Sequence, residues 1–127
     1  MPAEILLKEA YPGLLEPVST TSPCGTAIHR TVMFDKIKDM QSAEMTQGKT
    51  VDWSDIEKRC LKILNNKSKD LQVMAWLTEA WVRTTWMTGL NQGLMLIHHF
   101  VQHHWDELHP LVEGDNDESY RLSPFLW

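Results

Sequence analysis

With 127 residues, 43% of them hydrophobic and 23% charged, the chain has the size and balance of one globular domain whose core needs neither a metal nor a disulfide to close. A net charge of -5 with no lysine and arginine stripe argues against a phosphate-backbone partner, so nucleic acid is not expected. No basic leader precedes the short apolar run of "MPAEILLKEAYPG", and no uncharged span approaches the ~18 residues of a membrane helix; both features predict a cytoplasmic protein without an integral membrane segment.

Residues 1–26 hold four of the six prolines and predict an extended arm with little regular structure beyond a short helix near Ala3–Ala10. A first long helix is expected from about Ile28 to Met45 on the spacing of Met33, Ile37 and Met40. The second carries Trp53, Ile56, Cys60 and Ile63 at helical spacing. Either Asp52 or Ser54 caps it, since Ser54 and Glu57 form a capping box, and Asn65 with Asn66 ends it. The third opens with Ser68 as N-cap and runs toward Gly89, placed as a C-terminal glycine. The fourth spans about Asn91 to Leu108, capped by Asn91, with Leu90 and Met95 as a staple and Pro110 barring extension. An acidic loop, "VEGDNDESYRL", leads to Ser123-Pro124, the start of one more helix, and the apolar end "FLW" suggests the N-terminal part of a longer protein. No run alternates with period two, so the class is all-α: a small multi-helix bundle built on antiparallel helical hairpins, with a Pro-rich N-terminal arm.

Six tryptophans are the outlier of the composition, and the third helix shows what they imply. One stripe collects Leu71, Met74, Leu77, Trp81 and Thr85; a second, roughly opposite, collects Val73, Trp76, Ala80 and Met87. Two apolar faces suit a central helix packed on both sides, or a partner-binding patch made by Trp76, Ala80, Trp86 and Met87. On the fourth helix Leu90, Leu94, Ile97, Val101, Trp105 and Leu108 form a seam expected to face the core.

"HHFVQHHWDELHP" holds five of the six histidines. His99, His103 and Glu107 follow one another a turn apart on the side away from that seam, a spacing able to hold zinc. No supporting ligands are written elsewhere, so a solvated face is the plainer expectation and no metal or other cofactor is assigned. His109 is placed at the helix end as a hydrogen-bonding residue. Asp115 and Asp117 begin like a calcium loop, but Tyr120 stands where the turn glycine belongs. Cys24 and Cys60 lie far apart without a C-x-x-C and suit buried thiols, although a disulfide between them is compatible with the sequence. With no nucleophile, base or phosphate motif, no enzyme is expected.

Taken in order, "LLEPVSTTSPCG", "DW" at 52–53, "SKDLQVMAWLTEAW", "GLNQGLMLI", "HHWDELHPL" and "RLSPFLW" resemble the ImpA N-terminal domain of TssA-type type VI secretion proteins, from about Leu14 to Trp127. The resemblance implies a helical, non-catalytic module at the front of a longer cytoplasmic bacterial protein that is recruited to the secretion complex at the inner membrane. It implies partners among baseplate, sheath, tube or membrane-complex subunits, with guidance or capping of sheath assembly as the role; self-association through the third helix is a weaker alternative. In the matching segments, Cys24-Gly25 ends the arm with a turn, Asp52 caps while Trp53 anchors, and Ser68 and Asp70 favour a helix start. Trp105, Asp106, His109 and Pro110 belong to the family pattern, whereas His98, His99, His103 and His104 do not, and Pro124 departs from it. The competing function is a helical metal- or small-ligand-binding domain using His99, His103 and Glu107.

Overall fold

The computed structural model describes residues 3–110. It contains five helices: α1 (Ala3–Ala10), α2 (Val32–Gln47), α3 (Trp53–Asn66), α4 (Leu71–Thr85) and α5 (Met87–His104). The fold is all-α, and among the described residues the only extended pairings are isolated bridges between Gly25 and Ser68 and between Asp70 and His109. The expectations for Asp115, Asp117, the acidic loop and a helix at Ser123-Pro124 fall outside the described residues.

α4 is the centre of the bundle, packed between α3 and α5; α1 leans on α5 and α2 on α3. Nine of its residues are buried, Val73, Trp76 and Ala80 among them as well as Leu71, Met74, Leu77 and Trp81. A helix apolar on two faces is one with neighbours on both, and here they are in place. Trp76 lies against Phe34 of α2 with ring centroids 4.9 Å apart, and Trp81 against Tyr11 at 5.2 Å.

α4 and α5 form the expected antiparallel hairpin, but the boundary differs. Gly89 does not end α4; it lies buried inside α5 against the Trp81 backbone, and Gly93 one turn on meets Thr78. The reversal is made by Trp86, the single residue between the two helices, at φ 59. With the turn made there, α5 starts at Met87 and Asn91 is no cap. The seam on α5 is also displaced. Its buried residues are Gly89, Gly93, Leu96 and Phe100, whereas Leu94 and Val101 are exposed. Hydropathy weighs side chains, and the first turns of the side of α5 that approaches α4 are built on Gly89 and Gly93, which bring backbones close and leave only Leu96 and Phe100 further on to announce that face.

The other helix starts follow local chemistry. Asp52, not Ser54, caps α3 by accepting from the Asp55 N–H at 3.1 Å. α4 is capped by Asp70, whose Oδ1 accepts from the Val73 N–H at 3.1 Å, and not by Ser68. Residues 67–69 are tied by their backbone to the arm, so helix cannot begin before position 70. In α2, Thr31 caps the start and Phe34 with Ile37 faces the core; Met33 points outward, one residue off the expected stripe.

The arm is not a free strand. Leu7, Leu14, Leu15 and Cys24 are buried in it, and the amine of buried Lys69 donates to the Leu14 carbonyl at 2.9 Å. Burial lowers the Lys69 amine to about 8, against the smaller opposing pull of Cys24 and Glu16. In the unfolded chain it holds its proton to about 10.4, so through this window the unfolded state binds more protons and stability rises with pH. Unfolding in urea at pH 8 and pH 10 should show the stability of wild type relative to Lys69→Met increasing by about 2 kcal/mol. Buried Cys60, whose thiol burial pushes up, acts with the opposite sign in both proteins and cancels in the difference.

Candidate functional site

Three separated motifs meet at one end of the hairpin. The Lys69 N–H donates to the Cys24 carbonyl at 2.7 Å and the Thr26 N–H to the Lys67 carbonyl at 3.0 Å, which stitches the end of the arm to the α3–α4 link. The His109 N–H donates to the Lys69 carbonyl and the Leu71 N–H to the His109 carbonyl, so the chain after α5 runs along the other side of the same link. The His109 ring closes the triangle, its Nε2 3.0 Å from the Gly25 carbonyl, which requires Nε2 to carry the proton. Gly25 sits at φ 73, and a Cβ on it would overlap the Lys67 carbonyl, so only glycine fits. Ser68 is buried there with its hydroxyl unpartnered; Trp105 and Pro110 are half-buried and Asp106 is exposed. Cys24, Gly25, Ser68, Asp70, His109 and Pro110 thus share one structural junction, while Asp52 and Trp53 act at the start of α3.

The opposite end of the hairpin carries the exposed apolar surface. Trp86 is 70% exposed and Met87 53%, and with Glu79, Val82, Arg83 and Leu90 they line a hollow of about 340 Å³. Its polar rim is held in place: the Arg83 guanidinium lies 5.0 Å from the Trp53 ring and pairs with Glu79 at 3.6 Å. From the hollow the apolar stripe continues along α5 through Leu90, Leu94, Ile97 and Val101, about a quarter turn from the glycine face. Of the four residues expected at an interface, Trp86 and Met87 are therefore available, whereas Trp76 and Ala80 are core. Trp86 also occupies a backbone conformation, φ 59 and ψ -121, that glycine adopts freely and tryptophan does not. Such strain costs about 1–3 kcal/mol, so stability alone would favour glycine at this position.

The histidine cluster divides. His99 and His103 are adjacent, with ring centroids 4.9 Å apart, but Glu107 does not join them. α5 ends at His104, and the following turn brings Glu107 back to His104, its Oε2 3.3 Å from Nδ1. The set expected on an uninterrupted helix is not assembled. Sequence reasoning missed both the outward stripe of α5 and the strained turn. The first had a signal, the G-x-x-x-G spacing of Gly89 and Gly93 on the other side; the second had none, because nothing about a tryptophan announces a positive φ.

No helix among the described residues is long and apolar enough to cross a membrane. The family model described as "ImpA, N-terminal, type VI secretion system" matches residues 15–127. The chain is 28% identical over 122 residues to the type VI secretion system component TssA1 of Pseudomonas aeruginosa, a match over 88% of this chain and 35% of that protein. A solved structure, the N-terminal domain including the conserved ImpA_N region of the TssA component from Burkholderia cenocepacia, superposes with a TM-score of 0.82 at 32% identity. It covers 100% of this chain and 47% of the solved one, so the chain spans about a third of the curated relative and about half of the solved chain.

Proposed function

The chain belongs to the ImpA N-terminal family of the type VI secretion system, and on that premise we propose that it is a non-catalytic scaffold domain whose exposed apolar corner holds another subunit of the secretion machine. The observation that carries the proposal is Trp86, an aromatic side chain left in solvent at a backbone position where it costs stability. Tryptophan in an apolar hollow with a charged rim has the composition of an interface anchor. The stripe of α5 extends the contact as a helix face would, and the partner is accordingly a subunit presenting its own apolar surface, in the baseplate, the sheath and tube, or the membrane complex. Docking there is the means by which the domain guides or caps sheath assembly, in the cytoplasm and next to the membrane-bound part of the machine.

Trp86→Gly tests the proposal because it separates contact from folding. Removing the strain should leave the domain as stable as wild type or up to about 1 kcal/mol more so, while the anchor disappears. Thermal unfolding checks the first effect, and co-purification of the tagged protein from cells with the secretion system assembled, read by mass spectrometry, checks the second. Loss of secretion subunits from Trp86→Gly and from Leu94→Glu, both still folded, is the expected result. Equal recovery with wild type and both variants would remove the corner from the interface. A concentration-dependent mass that both variants abolish would instead assign the surface to self-association.

A further inference from the structure

We infer that Cys24, His104 and Glu107 form a binding site for a borderline transition-metal ion of the zinc type, which clips the end of the arm to the end of α5. One donor atom from each of the three lies within 4.8 Å of the other two. The His104 Nδ1 and Glu107 Oε2 are already 3.3 Å apart, and neighbouring ligands in a tetrahedral zinc shell are separated by about 3.3–3.6 Å. The donor atoms lie within 4.8 Å of one another, so the remaining approach of the Cys24 sulfur to such a shell is about 1 Å.

The donor set decides the metal. A thiolate, an imidazole and a carboxylate suit zinc or cobalt and do not suit calcium or magnesium, which take oxygen ligands. Three protein ligands leave the fourth position for water. The backbone has fixed the two segments beforehand: the Cys24 carbonyl is held by the Lys69 N–H, and the turn after α5 is held by the Glu107 and Leu108 N–H groups donating to the His104 carbonyl. Cys24 is buried, the His104 side chain is 24% exposed and that of Glu107 56%, so an ion would arrive from the solvent side, through Glu107. His109 is not a member of the set, and neither are His99 and His103; the site arises only because α5 stops at His104 and the arm returns beside it.

The test uses cobalt as the probe. Titration of the reduced protein with cobalt(II) should give a saturable thiolate-to-cobalt charge-transfer band with visible ligand-field bands of a four-coordinate site, displaced by zinc. The band should be lost in Cys24→Ser, and cobalt affinity should fall at least tenfold in His104→Ala and in Glu107→Gln. It should persist in the double variant His99→Ala, His103→Ala. Both His104 and Glu107 are partly exposed, so these variants keep the test valid if Cys24→Ser fails to fold. Absence of the band in wild type, its survival in Cys24→Ser, or its loss only with His99 and His103 would overturn the site, the last by assigning the metal to surface histidines.

Discussion

Gly89→Ala is expected to destabilise the domain by about 2–3 kcal/mol, although the change replaces a poor helix former with the best one. Glycine inside an exposed helix costs about 1 kcal/mol relative to alanine, so propensity alone predicts a gain. Position 89 is not exposed. A Cβ there would overlap the carbonyl carbon and oxygen of Trp81 and the Thr85 hydroxyl, and two of those three atoms are backbone of α4. Backbone cannot rotate aside, so α4 and α5 must separate along the largest helix contact in the fold. The separation also opens the buried cluster to which Leu96 and Phe100 of α5 and Met74 and Leu77 of α4 belong. At Gly93 the added atom meets the Thr78 side chain; turning it moves Oγ1 and Cγ2, at the cost of the hydrogen bond to the Met74 carbonyl, but not Cβ, so Gly93→Ala should also destabilise, by somewhat less than Gly89→Ala. Thermal unfolding followed by circular dichroism orders the pair; a midpoint for Gly89→Ala at or above wild type would mean that the hairpin is loosely packed there and that helix propensity governs.

The same contact explains what could be read in advance. Helices with a continuous apolar period and a nearby cap are visible because side-chain spacing determines both: α3 and α4 lie where Trp53, Ile56 and Ile63, and Leu71, Met74 and Leu77, place them. The two apolar faces of α4 were visible for the same reason, and packing on both sides resolves them as core. The turn between α4 and α5 was not visible, because Gly89 has two uses in helical proteins, ending a helix and letting another approach, and one sequence does not distinguish them. Once that glycine is taken as an end, the stripe of Leu94, Ile97 and Val101 reads as the inner face of α5, when Leu94 and Val101 are exposed and Ile97 only borders the core. The motif junction was legible residue by residue but not as a place: Cys24, Asp70 and His109 are brought together by backbone hydrogen bonds that leave no trace in side-chain pattern. Cys24 with His104 and Glu107 was hidden for the same reason, since the arm supplies one ligand and the end of α5 the other two.

Asp70→Ala should lower stability by about 3 kcal/mol, more than the loss of an N-cap, which is typically worth ~1 kcal/mol. The carboxylate is fully buried and both its oxygens are used: Oδ1 accepts from the Val73 N–H, and Oδ2 lies 2.7 Å from the His29 Nε2. Truncation therefore leaves a helix N–H and an imidazole without their acceptor, and a small void where the carboxylate was. The cost stays below that of a wholly buried ion pair because the His29 side chain is 28% exposed and water can reach it. Asp70→Asn separates the contributions, since the amide oxygen can still cap α4 while the negative charge is gone; it should recover about half of the loss. His29→Ala removes a ring stacked on Phe34 at 4.3 Å as well as the partner of Asp70, so the two single variants should not add. A double-mutant cycle in urea should give a coupling of at least ~0.5 kcal/mol between positions 29 and 70, and a value of zero would leave the cap as the whole role of Asp70. The coupling matters beyond α4, because His29 lies on the segment that carries the arm into α2, and Asp70 on the link that holds Cys24, Gly25 and His109. A weakened Asp70 should thus loosen the arm and the end of α5 together, and slow-exchanging amides at Lys69, Leu71 and His109 should lose protection in the same variant.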